Sequence, residues 1–495
     1  MDNILGYVIG ETTNTELTFL SSSIPEIGSY TLIEYGNKKI IGMVESVTQG
    51  SLIFNEVLNV KDLIKIKNIE NNDSYYIVGK IKILGDLEKK EIPRTPPKPG
   101  TEIYYADDES LKHMFSNGHL KIGKLISKNV PVCLDVNKLC SRHLAILAIT
   151  GMGKSNTVSV ILSELNKLKG TVVVFDVHGE YKTIKSNDEN NKLRINIVEP
   201  KLNIFNISTS DFCDLANIDP QATKQRPYVR RAIKKVKENK KEVDFNNCEE
   251  YVNEIIGILD EYIDSSSKDK DSIETAIFRL EDMLQFKGHI IKLHYNPIKE
   301  IKEGHINIVS LEELDEGDMD IIISYISKNI LQNRKEAFRN NEPKPVFLIF
   351  EEAHLIVPQN RNTKSKYYIS RIAREGRKFG VGICLVSQRP KTLDQESLSQ
   401  CNNLIISKLI EPSDQSHVQH ASENLSEDLL KQLPSLNIGE AVIIGPSLKI
   451  PAIVKIDKFN GEYKGEDIPI VDIWGENKGH TENDEGIIPK YDEGL

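Results

Sequence analysis

Ala148-Ile-Thr-Gly-Met-Gly-Lys-Ser155 grows out of the apolar run Leu144-Ala-Ile-Leu-Ala-Ile149. It leads into a segment with apolar residues at helical spacing, Val158, Ile161, Leu162, Leu165 and Leu168, which Gly170 is placed to stop. A continuous apolar run of this kind reads as a strand buried on both faces of a parallel sheet. Glycines in the turn let successive backbone N–H groups point inward around a phosphate, the lysine neutralises phosphate oxygens, and the adjacent hydroxyl ligates Mg2+. The strand–loop–helix context therefore predicts a P-loop. Thr150, Gly151, Met152, Gly153, Lys154, Ser155 and Asn156 are expected around the phosphates of ATP, with Ser155 on the metal. Ala148 stands where the motif more often has glycine. The alternative, a Gly-Lys-Ser turn without nucleotide, is disfavoured by that context.

Working outward, Thr171-Val-Val-Val-Phe175, Val346-Phe-Leu-Ile-Phe350 and Val381-Gly-Ile-Cys-Leu-Val386 are buried strands of the same type, with two more at Leu404-Ile-Ile406 and Ala441-Val-Ile-Ile444. Strands alternating with helices imply a doubly wound α/β core, whose ligands bind at the carboxyl ends of the strands. The residues just past each run are therefore the candidates for chemistry. Glu351 and Glu352 come directly after Phe350, and predict one carboxylate for the Mg2+ water shell (Glu351) and one general base (Glu352). Asp176 comes after Phe175 and leads into His178-Gly-Glu180-Tyr; a place near Mg2+ or the lytic water and a structural turn both fit it. His178 and His354 lack metal-ligand spacing and read as structural or substrate-sensing. Ile372-Ala-Arg374-Glu-Gly-Arg377-Lys-Phe-Gly380 is a basic turn ahead of the strand at 381. An arginine facing the γ-phosphate speeds phosphoryl transfer and often comes from a neighbouring subunit; Arg377 is the first choice and Arg374 the second, a surface salt bridge being the competing role. Gln388, after Ser387, is placed to report the γ-phosphate.

Upstream, short runs rich in β-branched and aromatic residues at 6–10, 16–20, 30–35, 40–44 and 75–83 predict a small β-barrel over residues 1–92. Pro93-Arg-Thr-Pro-Pro-Lys-Pro-Gly100 marks a linker, taken as 93–119. The core then divides into 120–207 and 286–457, separated by amphipathic helices that form an insertion over 208–285, and a polar tail with Trp474 covers 458–495. A chain of 495 residues suggests two to four domains, and 39% hydrophobic with 27% charged residues is an ordinary globular composition. No run approaches the roughly 18–20 apolar residues of a membrane span, and MDNILGYVIG lacks a secretory leader's basic region, so a cytoplasmic protein is expected. Six scattered cysteines without CxxC spacing argue against a zinc site or a disulfide framework. A net charge of −10 disfavours an outer surface coated with DNA but leaves a basic channel open.

The joint pattern resembles the HerA family of hexameric DNA-translocating ATPases, in the FtsK–HerA branch of P-loop NTPases. Ile4-Leu-Gly-Tyr-Val-Ile-Gly10 with the barrel resembles that family's HAS domain. Leu120–Ile126, Val132–Asp135, Ser141–Ile146, Phe175–Tyr181, Glu351–His354, Arg374–Gly380, Ser387–Pro390 and Gly439–Ala441 match its other segments, so that residues 1–457 are covered. The departures are Ala148, and Glu351 where many relatives carry aspartate. The resemblance implies a RecA-like core and a homohexameric ring with ATP and Mg2+ at each subunit interface. Lys154, Ser155, Glu351, Glu352, Asp176 and Gln388 would act within one subunit; Arg377, with Arg142 just before the P-loop strand, would reach or sense the neighbour's ATP. A ring translocase grips the backbone of double-stranded DNA with channel-facing cations, irrespective of sequence. Arg361, Lys364 and Lys366 are candidates, a solvated charged loop being the competing reading; Arg230, Arg231, Lys234 and Lys235 read as a solvated helix face. The expected function is a DNA motor paired with an effector such as a nuclease, in repair or in antiphage defence. The alternative is an ATP-binding scaffold that regulates a nuclease or a sirtuin-like NADase. A metabolic kinase is disfavoured by the barrel, the paired glutamates and the lack of a small-molecule lid.

Overall fold

The computed structural model describes residues 4–51, 75–89, 91–265, 268–422, 425–448, 450–464 and 470, so the stretch with Trp474 lies outside the described residues. β1 (Ile4–Ile9), β2 (Glu16–Ser21), β3 (Tyr30–Tyr35), β4 (Lys38–Ser51), β5 (Tyr75–Asp86) and β6 (Glu102–Tyr105) form a closed barrel in the order β1-β2-β5-β4-β3-β6. Alternate residues point inward and meet as a core of Leu5, Val8, Leu17, Phe19, Ile33, Ile40, Val44, Ile81, Ile83 and Ile103. β6 corrects the expected linker: the prolines at 93, 96 and 97 break the chain, and Glu102–Tyr105 then re-enters and pairs with both β1 and β3. A helix, Asp108–Phe115, comes next, capped by the Asp107 carboxylate on the Ser110 N–H. Within 93–119, residues 102–105 and 108–115 are regular elements; a four-residue strand carries too little periodicity to announce itself.

Barrel and core pack directly. Tyr30 stands edge-on to Phe115 at 5.0 Å and donates its hydroxyl to the Pro451 carbonyl at 3.1 Å. Gln432 and Ser426 bond the backbone and the carboxylate of Glu45.

The central sheet contains β7 (Leu120–Leu125), β8 (Pro131–Leu134), β9 (Leu144–Leu147), β10 (Val172–Asp176), β12 (Ile195–Val198), β15 (Ile306–Ser310), β16 (Val346–Phe350), β17 (Val381–Ser387), β18 (Asn403–Ile406), β19 (Glu440–Ile444) and β20 (Ala452–Ile456). The numbers between belong to two short pairs, β11 (Lys185–Ser186) with β21 (Gly461–Glu462) and β13 (Leu202–Asn203) with β14 (Ile291–Lys292). Its order is β12-β15-β10-β16-β17-β9-β18-β19-β20-β7-β8. Neighbours from β12 to β18 are parallel; the remaining pairs are antiparallel. The parallel strands deliver the carboxyl ends of β9, β10, β16 and β17 to one edge, with β17 between the P-loop strand and the strand that carries the paired glutamates.

β12 and β15 escape a search for apolar runs because each carries an asparagine. Asn307 is fully buried yet satisfied, donating to the Val172 carbonyl at 3.0 Å and accepting from Asn196 at 2.8 Å. The insertion is helical as read, with helices Thr209–Leu215, Gln225–Asn239, Cys248–Ser265 and Lys270–Lys287. Val229, Ala232, Ile233 and Val236 form the buried stripe of the second, while Lys234 and Lys235 pair with Glu238 and Glu261 on its outer face. Among the described residues no helix is long and apolar enough to cross a membrane.

Because β6 closes the barrel, Ile103→Ala should cost about 2–5 kcal/mol, the range for emptying a packed apolar site. Denaturant unfolding followed by tyrosine fluorescence checks this, and a cost under about 0.5 kcal/mol would show that β6 is dispensable.

Candidate active site

The P-loop turns where the sequence places glycine. Gly151 and Gly153 have φ of 79° and 93°, and a Cβ at either would meet nothing within 4 Å, so it is the backbone angle that requires glycine. The helix Lys154–Lys167 starts at Gly153 without a side-chain cap, which leaves its first-turn N–H groups open to an anion. Met152 is buried and pins the loop, its carbonyl accepting from Gly439. Thr150 donates to Gln388 Oε1 at 2.6 Å, joining the P-loop to the end of β17. The Ser155 hydroxyl makes no hydrogen bond among the described residues. The Asn156 amide donates to the Asp457 carbonyl at 3.0 Å and accepts from the Phe459 N–H at 2.8 Å, so it ties the segment after β20 to the helix.

The two glutamates after β16 sit side by side in opposite electrostatic settings. Glu352 adopts the left-handed region at φ 43°, ψ 48°, a conformation that costs a non-glycine residue about 1–3 kcal/mol and marks functional turns. Lys154 Nζ donates to Glu352 Oε1 at 2.9 Å, with both side chains nearly buried. His354 Nδ1 lies 3.2 Å from the other oxygen, outside hydrogen-bond alignment, and 3.4 Å from Ser387 Oγ on β17. His178 Nε2 approaches Oε1 to 4.0 Å from the open side of the cleft. Burial works to raise Glu352, but His354 and Lys154 outweigh it and hold the carboxyl down to about 2. Glu351 is pushed up to about 7 by burial, against the opposing pull of a hydrogen bond from Tyr181 at 2.6 Å and of Lys154.

These residues fit a nucleotide–Mg2+ pair. An open N–H cradle, an unpartnered hydroxyl and one buried carboxylate suit a metal held jointly with substrate phosphates. No cluster of three or more His, Cys, Asp or Glu among the described residues offers a metal site of its own.

Asp176 is committed to its turn. It is fully buried, and its two oxygens accept from the Glu180 N–H at 3.0 Å and the Tyr181 N–H at 2.9 Å. Of its two readings from sequence, this geometry is that of the structural turn.

The arginines lie elsewhere. Arg377 precedes β17 and Arg142 precedes β9, so both occupy the amino edge of the sheet, the length of β17 (seven residues, roughly 20 Å) away from the P-loop. Arg377 is exposed and its side chain has no partner among the described residues. It borders a cleft of about 700 Å3 lined also by Cys140, Ser141, Thr171 and Lys344. Arg374 is engaged with Glu396 at 2.6 Å on the surface, the competing role foreseen for it. Sequence reading missed His143, which braces this edge: Nε2 donates to the Ala373 carbonyl at 2.9 Å and Nδ1 accepts from the Ile383 N–H at 3.2 Å. Burial holds its ring below the usual imidazole range, in keeping with that neutral tautomer.

The three DNA candidates are not free cations. Arg361 pairs with Glu316 at 2.9 Å, Lys364 with Asp214 at 2.7 Å, and Lys366 with Asp394 at 2.9 Å while also bonding the Pro358 carbonyl. The acids that neutralise them are remote in sequence, which is why the stretch reads as a basic loop.

The family model for the HAS barrel domain matches residues 5–89, that for the helicase HerA central domain residues 120–330, and that for the helicase HerA-like C-terminal region residues 325–460. A probable helicase of Methanocaldococcus jannaschii is 61% identical, covering 97% of this chain and 96% of its own. The DNA double-strand break repair helicase HerA of Sulfurisphaera tokodaii is 40% identical over 98% of this chain and 99% of its own. Among solved structures, VirB4 of Thermoanaerobacter pseudethanolicus shares the fold, with a TM-score of 0.51, 14% identity, and coverage of 69% of this chain and 97% of that one.

The buried Glu351 makes a pH prediction. Its folded value near 7 exceeds the ordinary 4.5, so between these the folded protein holds a proton that the unfolded chain has released. Without metal or nucleotide, stability should therefore fall as pH rises through that window, and Glu351→Gln should flatten the slope. Thermal melts at pH 5 and pH 8 test this; parallel pH dependences in the two proteins would contradict it.

Proposed function

Since this chain belongs to the HerA family and is a helicase-type P-loop ATPase, we propose that it works as an ATP-driven homohexameric ring that moves on or unwinds double-stranded DNA. The observation that carries the reading is the division of the site. P-loop, glutamates and Gln388 lie at one edge of the sheet, and an exposed, unpartnered arginine lies at the other. Such a subunit completes its site only by meeting a second copy head to tail, and head-to-tail contacts close as rings. Relatives named as DNA double-strand break repair helicases support DNA as the track. Contact with the phosphate backbone makes such binding independent of sequence and sensitive to salt. Coupling to a separate effector, such as a nuclease or a sirtuin-like NADase in phage defence, and a cytoplasmic location belong to the same proposal.

The geometry supports a sequence of events. ATP phosphates enter the N–H cradle and draw Lys154 off Glu352 Oε1. Loss of that cation raises the basicity of Glu352 as the γ-phosphate arrives, and frees the same oxygen to accept a proton from the attacking water. The carboxylate keeps its contact with His354. Gln388, joined to Thr150, registers the γ-phosphate and passes its state along β17. Ser155 and Glu351 would hold Mg2+, which would supply positive charge against the phosphate oxygens. Arg377 of the next subunit, assisted by Arg142, meets the charge that develops on the transferred group.

Three measurements bear on this. Lys154→Ala should abolish nucleotide binding, whereas Glu352→Gln should bind ATP and turn over roughly 10²–10⁴-fold more slowly; an unimpaired Glu352→Gln rate removes it as the base. Arg377→Ala should lose on the order of 10³-fold in turnover, and mixing it with Lys154→Ala should restore part of the activity, because mixed interfaces contain intact half-sites. Absence of complementation, or a monomer in native mass spectra with Mg-ATP, would remove the trans arginine. Duplex DNA at low salt should stimulate turnover; indifference to DNA would favour instead a ring that regulates an effector.

A further inference from the structure

We propose that Tyr181 is a positioning residue for the metal-binding carboxylate of Glu351, and that Asp176 acts through it. This rests on the nucleotide site proposed above and extends it to the loop after β10. Tyr181 is fully buried, and its hydroxyl has one partner, Glu351 Oε1, at 2.6 Å. Apolar packing alone needs no hydroxyl, and a buried phenol that donates to a carboxylate fixes which way that carboxylate faces. Glu351 is nearly buried, and its second oxygen makes no hydrogen bond among the described residues, so it is the one left for a metal's water shell. Glutamate has one more rotatable bond than aspartate, and the phenol removes that freedom.

The loop is built to deliver this hydroxyl. Asp176 ends β10 and anchors the Tyr181 and Glu180 N–H groups, while Gly179 takes a φ of 70° where a Cβ would lie 2.4 Å from Glu312 Oε2. The Tyr181 carbonyl accepts from the Ile184 N–H at 3.1 Å, closing the turn. Asp176 thus fixes the main chain of Tyr181, and Glu351 receives the other end of the residue. Asp176 itself points at backbone N–H groups and lies one residue removed from the chemistry.

Tyr181→Phe deletes only the oxygen. Binding of a fluorescent ATP analogue, titrated with Mg2+, should then need roughly tenfold more Mg2+ for half-saturation, the size expected when a hydrogen bond to a charged group is lost. Affinity in EDTA should stay as in the parent, while the melting temperature falls modestly, as loss of a buried hydrogen bond requires. Equal Mg2+ requirements overturn the proposal, and so does a variant weakened alike with and without Mg2+, since that describes packing. Asp176→Asn should shift the Mg2+ requirement in the same direction, and the double variant should be no worse than Tyr181→Phe; additive effects would remove Asp176 from the path. Lys154→Ala serves as the control. If it still binds the analogue, the nucleotide site itself is misassigned; if it does not, an unchanged Tyr181→Phe sinks only the tyrosine's role.

Discussion

The ion pair between Lys154 and Glu352 has to reach past a strand. β17 separates β9, which ends in the P-loop, from β16, which ends in the glutamates, so their backbones lie roughly 10 Å apart. A long lysine on one side and a glutamate forced into the left-handed region on the other meet over the end of β17 at 2.9 Å. The rest of the site is arranged around that bridge. Thr150 and Gln388 close the space beneath it, and His354 stands against the far oxygen of the carboxylate. A pair this deeply buried is costly when broken by removing one partner, yet it is readily exchanged when a better-charged ligand replaces that partner. Phosphate is such a ligand, so the resting contact both keeps the cleft organised and hands over its lysine.

Neighbouring carboxylates show how far local surroundings outweigh residue type. Glu351 and Glu352 are adjacent in the chain, but one is held near 7 and the other near 2. Glu351 faces a phenol and apolar strand residues, whereas Glu352 faces a lysine and a histidine. Environments that push two acids apart assign them different work.

How much could be read from the residues depended on how local each signal is. The P-loop, the buried strands and the paired acids are contiguous, and each stands in the fold where its pattern puts it. β6 was hidden because four residues after a run of prolines carry no usable period, and β12 and β15 because an asparagine interrupts each apolar run. Asn156, Arg361, Lys364 and Lys366 stand against partners tens to hundreds of positions away, which no local pattern announces. Tyr181 and His143 carry no motif at all, and their importance comes only from the groups the fold sets against them.

β17 carries Gln388 just past one end and lies a few residues after Arg377 at the other, with every residue of the strand buried. His143 pins its amino half to the strand that leads into the P-loop, and the Gly376–Phe379 turn packs directly under it. The strand is therefore a stiff connecting rod. In the head-to-tail ring proposed here, one end would touch the subunit's own ATP and the other the ATP of the next subunit, with only the short turn through Gly380 between Arg377 and the strand. Firing order around such a ring would be set by rod geometry, and a bulge or a glycine inserted in β17 would act as a slipped gear, leaving each site chemically whole while the sites lose their timing.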